Sequence, residues 1–253
     1  KTVYNQQGKP VLNIITACKP YELEDYTWSF PFLGEVSYKG FFDTVMLNKE
    51  AKKINSENYD INIGEVTAWS TLGWFNDPVL TNFLQRSDGK LANLIIHELT
   101  HGTVYVSSDV YFNENLASFI GHQGAKIFLQ QHFGDTSSVY KEYLQEMKND
   151  KIVSDFVIEQ ANILDSLYQT FEPNTKTVYK EEAKELFMGE FVDEFKKLPI
   201  TSTERYLPAK KKLNNTYFQS YKRYHSNIEF FEKQFKNHTD LRAYIKFIKK
   251  TYD

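Results

Sequence analysis

The chain has 253 residues, of which 41% are hydrophobic and 25% charged, with a formal net charge of -3 at pH 7. This is enough for one large domain with a substantial core. The bulk charge gives no basis for binding nucleic acid or an anionic membrane. Cys18 is the only cysteine, which excludes an internal disulfide and a multi-cysteine zinc site. No apolar run approaches the roughly 20 residues that cross a bilayer.

The first third of the chain contains the predicted strands. Residues 11–17 and 35–38 are short β-prone segments, and residues 61–70 alternate and are partly β-branched. Residues 42–55 have helical apolar spacing, and residues 79–85 predict a short helix. We therefore expect a small β-sheet near the N-terminus.

The rest of the chain is predicted to be helical. The predicted helices are 90–106, 113–133, 138–170, 179–198, 208–236 and 240–252. We expect an α+β fold that is mostly helical, with a small N-terminal β-sheet and a helical C-terminal lobe. The whole chain, 1–253, is interpreted as one unit in which an N-terminal lobe of about 1–135 and a C-terminal lobe of about 136–253 share a cleft.

A metal-binding pattern lies in the helix predicted over residues 90–106. His97 and His101 are one helical turn apart, so both imidazoles can point to the same metal ion. Glu98 is rotated by roughly 100° around the helix and can reach a water bound to that metal as a general base. Two imidazoles and a carboxylate suit zinc, with water in the fourth position. The same pattern also occurs by chance in unrelated proteins.

The following segment contains a candidate for the third ligand. Glu114 lies in the first turn of the next predicted helix, where a metal ligand is one interpretation and a carboxylate favoured by the helix dipole is the other. Asp109, in the connecting turn, either fixes an imidazole by a hydrogen bond or caps the turn. Asn113 fits a helix N-cap better than a catalytic role.

Further candidates are weaker. Tyr105, Tyr217 and Tyr221 are candidates for the donor that stabilises an oxyanion. Glu65 could bind a free α-amino group, although a solvated strand residue is the simpler interpretation. Residues 67–71 could form the open strand edge that pairs with an extended peptide. The remaining histidines are interpreted as surface or packing residues: His122, His132, His225 and His238.

Several sequence blocks surround this pattern in order. They are FPFLG at 30–34, YKGFF at 38–42, STLGWFNDPVL at 70–80, LANLII at 91–96 before HELTH at 97–101, FNE at 112–114 and, more weakly, LNNT at 213–216. In these blocks the chain resembles bacterial zincin proteins described as predicted aminopeptidases, with the thermolysin-like, or gluzincin, HExxH and NExxA pattern. The resemblance covers roughly residues 10–250 and is strongest over 28–122.

The resemblance implies a zincin-like metallopeptidase fold. It further implies that His97, His101 and Glu114 bind zinc and that the substrate is a peptide or protein. The chain departs from the pattern of these proteins at one position. Many relatives look as if they carry an acidic residue where this chain has Gly121. That leaves Glu114 as the third ligand in this segment.

The sequence therefore predicts a zinc-dependent peptidase in which Glu98 takes a proton from the attacking water and returns it to the leaving amine. The word aminopeptidase comes only from the resemblance. A zinc endopeptidase and a non-catalytic zincin-fold binding or regulatory protein are the alternatives, and the intact Glu98 argues against the second. Since the sequence starts at Lys1, we expect a cell-envelope or secreted location if an upstream signal or lipid anchor was removed, and a cytoplasmic one otherwise.

Overall fold

The computed structural model describes residues 3–4, 10, 12–31, 34–55, 58–66, 79–209 and 213–252. The chain is mostly helical with a small antiparallel sheet in its first third and a helical C-terminal region, as the sequence predicted. The strands are β1 (Val3–Tyr4), β2 (Leu12–Cys18), β3 (Trp28–Phe30), β4 (Gly34–Val36), β5 (Lys39–Phe41), β6 (Asp60–Val66) and β7 (Val79–Leu80). The helices are α1 (Thr44–Asn55), α2 (Asp88–His101), α3 (Val110–Phe133), α4 (Ser138–Gln169), α5 (Thr177–Phe195), α6 (Asn215–His225), α7 (Ile228–Phe235) and α8 (Leu241–Tyr252).

The main sheet has the order β5-β2-β6, with β2 in the centre and both neighbours antiparallel to it. The central strand is buried along most of its length, which is why its sequence is nearly continuous in apolar residues rather than alternating. Helix α1 covers one face of this sheet with Leu47 and Ile54, which pack with Ile15 of β2. Separate two-stranded pairings join β3 to β4 and β1 to β7.

The largest core lies between the C-terminal helices. Apolar residues recur every three or four positions on α4 and every four on α5, which builds one apolar stripe on each helix. The buried members are Val153, Val157, Ala161, Leu164, Tyr168, Phe187, Phe191, Phe195 and Phe218. A second core joins α3 to α7 and α8 through residues that include Phe119, Phe231 and Tyr244. Among the described helices, none is both long and apolar enough to cross a bilayer.

Three predicted boundaries differ from those in the structure. The helix predicted over 208–236 is split into α6 and α7, because Asn115 on α3 accepts a hydrogen bond from Asn227 N at 2.8 Å and donates to Arg223 O at 2.6 Å. Helix α2 ends at His101 rather than 106; Val104 continues the apolar pattern because it is buried in the second core. Residues 81–85 form a 3-10 helix after β7. The predicted open strand edge at 67–71 lies outside the described residues.

Candidate functional site

Helix α2 presents two imidazoles on one face. Ser87 caps its N-terminus by accepting a hydrogen bond from Lys90 N. His97 and His101 are four residues apart, so their side chains lie on the same face of the helix. The two Nε2 atoms lie 3.2 Å apart. Their rings are nearly perpendicular, with centroids 4.9 Å apart and an interplanar angle of 82°. Both side-chain nitrogens therefore point to a single position above the helix.

Helix α3 brings a carboxylate to the same position. Glu114 Oε2 lies 3.2 Å from His97 Nε2 and 3.4 Å from His101 Nε2, and Glu114 is only 7% exposed. All three ligand atoms lie within 4.8 Å of one another, so this group could hold a metal ion. Three polar atoms from two helices therefore converge on one position, where the two imidazole nitrogens are within hydrogen-bond distance of each other and of the carboxylate.

The loop between the two helices explains why α3 returns at this angle. Asp109 caps α3 by accepting a hydrogen bond from Phe112 N at 2.9 Å. Asn113, which is buried, then accepts from Val106 N at 2.9 Å and donates to Val106 O at 2.7 Å. Asp109 is thus the N-cap that the sequence assigned to Asn113, whereas Asn113 holds the loop closed against the first turn of α3.

Two glycines allow the helices to approach closely. A Cβ at Gly121 would overlap Asn93 Oδ1 and stand 3.0 Å from the Asn93 carbonyl oxygen and 3.4 Å from His97 Cβ. A Cβ at Gly124 would stand 2.8 Å from Ile96 Cδ1. Gly121, where the resembling proteins look as if they carry an acidic residue, is therefore needed for close packing of α3 on α2.

The charges at this position are strongly coupled. Burial alone would raise the pKa of Glu114, but hydrogen bonds from His101 and His97 outweigh it and lower the pKa to about 2. Burial would lower the pKa of His101, but the hydrogen bond and charge of Glu114 outweigh it and raise the pKa. The carboxylate is therefore ionised at neutral pH, as a metal ligand must be.

Glu98 lies beside this group together with tyrosines from distant parts of the chain. The charge of Glu98 acts on His101, Tyr38 and Tyr224. Burial, followed by the charge of Glu114, raises the pKa of Tyr38 and of Tyr105. For Tyr224 the order is reversed, because the charge of Glu114 is the larger cause and burial the second.

The tyrosines that the sequence analysis proposed fall in two places. Tyr105 lies within electrostatic reach of Glu114. Tyr217 packs instead against Phe191 and Phe218, with ring centroids 5.9 and 5.5 Å away, and Tyr221 packs on Tyr217 at 5.1 Å. These two belong to the aromatic core between α4, α5 and α6.

Sequence reasoning missed Tyr38 and Tyr224. Tyr38 opens the YKGFF block, so the block itself was the available signal. Tyr224 shows no spacing relative to the histidines that could have identified it, because α6 follows α2 by more than a hundred residues. Its ring lies 6.3 Å from the ring of His97. Glu65 is an exposed residue of β6 that pairs with Asn13.

A buried ion pair connects helices α3 and α6 to the N-terminal segment. Asp25 Oδ2 accepts from Arg223 Nη2 at 3.0 Å and from the Tyr111 hydroxyl at 2.9 Å. Tyr111 precedes Glu114 by one turn of α3, and Arg223 precedes Tyr224 on α6. A single carboxylate in the N-terminal segment therefore joins the start of α3 to the end of α6.

A family model described as "Putative aminopeptidase" matches residues 3–253. This match extends over nearly the whole chain and supports peptidase activity in general. Neither the comparison with curated proteins nor that with solved structures gives a significant match.

Proposed function

Because the chain belongs to this aminopeptidase family, we propose that it is a zinc-dependent peptidase, and specifically an aminopeptidase, in which His97, His101 and Glu114 hold the metal. The substrate is a peptide or protein. The family supports peptide hydrolysis, and the geometry of the three ligand atoms supports the zinc.

The separations between the ligand atoms carry the zinc assignment. Ligands at the corners of a tetrahedron with bonds of about 2.0–2.1 Å to its centre stand about 3.3–3.4 Å apart. The three separations here are 3.2, 3.2 and 3.4 Å. Two imidazoles and one carboxylate would supply three protein ligands, the number that catalytic zinc sites use.

The reaction needs a general base, and Glu98 supplies it. When bound, zinc supplies a Lewis acid that makes water more acidic and polarises the scissile carbonyl. Glu98 accepts the proton of the attacking water and delivers it to the leaving amine. Tyr38, Tyr105 and Tyr224 lie within electrostatic reach of Glu114. A tyrosine hydroxyl is protonated at neutral pH and can donate a hydrogen bond to the developing oxyanion.

The experiment that tests the proposal separates metal binding from catalysis. We expect the parent protein and Glu98→Gln each to contain about one zinc per chain by elemental analysis, because Glu98 is not a ligand. Glu98→Gln should cleave a mixed peptide library about 10²–10⁴-fold more slowly. Glu114→Gln should lose zinc, since even residues that only support a ligand change metal affinity by about 10–100-fold.

A parallel library with acetylated N-termini tests the aminopeptidase assignment. An aminopeptidase trims only the free peptides, one residue at a time from the N-terminus. An endopeptidase cuts both libraries internally. A parent protein that binds zinc and cleaves neither library would show a non-catalytic binding protein, and full activity in Glu98→Gln would overturn the mechanism.

A further inference from the structure

Helix α1 has two faces of opposite character. Leu47, Ala51 and Ile54 have the spacing of one helical face and pack on the sheet. Val45, Lys49 and Lys52 have the same spacing, offset by two residues, which places them on the opposite side of the helix. All three of these residues are exposed. Helix α1 therefore has a continuous outer face, opposite the face that packs on the sheet.

The N-terminal end of this outer face is apolar. Phe42 is 71% exposed, Val45 74% and Met46 61%. Asp43 caps the helix between them by accepting hydrogen bonds from Val45 N and Met46 N at 2.6 and 3.3 Å. Single exposed apolar side chains are ordinary, whereas neighbouring ones form a candidate interaction surface.

The C-terminal end of the outer face is basic. Lys49, Lys52 and Lys53 are exposed. Glu50, the one acid in α1, is turned toward the sheet, where it accepts from Trp28 Nε1 at 3.0 Å and pairs with Lys39 Nζ at 3.4 Å. Lys53 also acts electrostatically on Glu50, and the exposed Asp43 lies at the apolar end. The outer face therefore carries a small excess of positive charge in a chain whose net charge is -3.

We propose that this face, formed by Phe42, Val45, Met46 and the three lysines after them, docks the protein on an anionic lipid surface. Apolar side chains next to a row of lysines match the two layers of such a surface. The apolar group enters the boundary of the acyl chains, and the ammonium groups lie at the anionic headgroups. A nucleic acid would use the lysines and leave the three apolar side chains in water.

The test is binding to vesicles of phosphatidylcholine with about one third phosphatidylglycerol, compared with phosphatidylcholine alone, by co-sedimentation. The parent protein should bind the anionic vesicles more tightly, and binding should weaken at high salt. Lys49→Gln with Lys52→Gln should reduce the affinity by about 30-fold, since each lysine near an anionic surface contributes about fivefold. Val45→Ser with Met46→Ser should reduce it by about tenfold or more and remove the part that survives high salt.

Two matched variants separate this face from the rest of the surface. Lys246→Gln with Lys250→Gln makes the same charge change on α8, and Val178→Ser with Leu186→Ser removes two comparably exposed apolar residues from α5. Both should bind vesicles within about twofold of the parent. The proposal would be overturned if the parent protein did not bind anionic vesicles, or if the α8 and α1 variants lost equal amounts of vesicle affinity. So would a parent dimer that becomes monomeric on Val45→Ser with Met46→Ser, because the face would then be covered by a second copy.

Discussion

At the scale of single residues, Tyr224 is the tyrosine most closely tied to the proposed metal site. Its pKa is raised chiefly by the charge of Glu114, and its ring lies 6.3 Å from that of His97. We expect Tyr224→Phe to lower kcat by about 10²–10³-fold with little change in KM, because an oxyanion donor acts in the transition state. Zinc content should not change.

Tyr217→Phe is the control for this prediction. Tyr217 lies on the same helix, but it packs in the aromatic core against Phe191 and Phe218. We expect its kcat and zinc content to match those of the parent protein. If Tyr224→Phe retains kcat within a few-fold of the parent, Tyr224 is not the donor, and the same measurement on Tyr38→Phe and Tyr105→Phe would assign it.

At the scale of elements, the packing of α3 on α2 places Glu114 opposite the histidines. Gly121→Ala would press a Cβ against Asn93, whose side-chain nitrogen lies 3.3 Å from His122 Nδ1. The side chain of Asn93 can move away only by giving up that contact, and its carbonyl oxygen cannot move independently of α2. We expect a loss of about 1–3 kcal/mol in the free energy of unfolding and weaker zinc binding, measured by urea denaturation and metal titration.

Gly189→Ala is the matched control, because Gly189 is also in the middle of a helix. A Cβ there would meet nothing within 4 Å. Alanine should therefore stabilise α5 by about 0.5–1 kcal/mol through its higher helix propensity. The interpretation of Gly121 is wrong if the two substitutions change the free energy of unfolding in the same direction.

The same elements show how far the sequence could predict the structure. The one-turn spacing of His97 and His101 was sufficient to predict that they share a face, because helix geometry is local. The placement of Tyr224 depends on how α6 lies against α3, which Asn115 decides through its hydrogen bonds to Arg223 O and Asn227 N. Such a contact between distant residues leaves no periodic signal, which is why the break between α6 and α7 was also missed.

At the scale of the whole molecule, the sheet and the helices are joined by polar side chains rather than by one continuous apolar core. Asn215 Nδ2 donates to Lys19 O at 2.8 Å and Pro20 O at 3.1 Å, while its backbone nitrogen donates to Asp60 Oδ2 at 2.9 Å. Asn215 belongs to the LNNT block, so this block holds α6 to the N-terminal strands. The division into two lobes near residue 135 remains a prediction.

This buried polar packing makes the stability of the whole chain depend on pH. Burial lowers the pKa of His225 from 6.5 to about 4, with the neighbouring His122 lowering it further and Asp155 opposing. The unfolded chain therefore binds a proton between pH 6.5 and 4 that the folded chain excludes. Stability from this residue is fully present above about pH 6.5 and is lost as the pH falls toward 4, by about 3 kcal/mol in total.

His225→Phe should remove this part of the pH dependence while keeping a ring beside Tyr221, whose centroid is 5.7 Å from that of His225. We expect the free energy of unfolding to fall about 3 kcal/mol less in His225→Phe than in the parent protein between pH 7 and 4. Urea denaturation of both proteins after chelation checks this, because release of metal then contributes to neither. His132→Phe, at the exposed end of α3, should retain the parent's slope, and parallel slopes for the parent and His225→Phe would show that the buried imidazole does not govern acid stability.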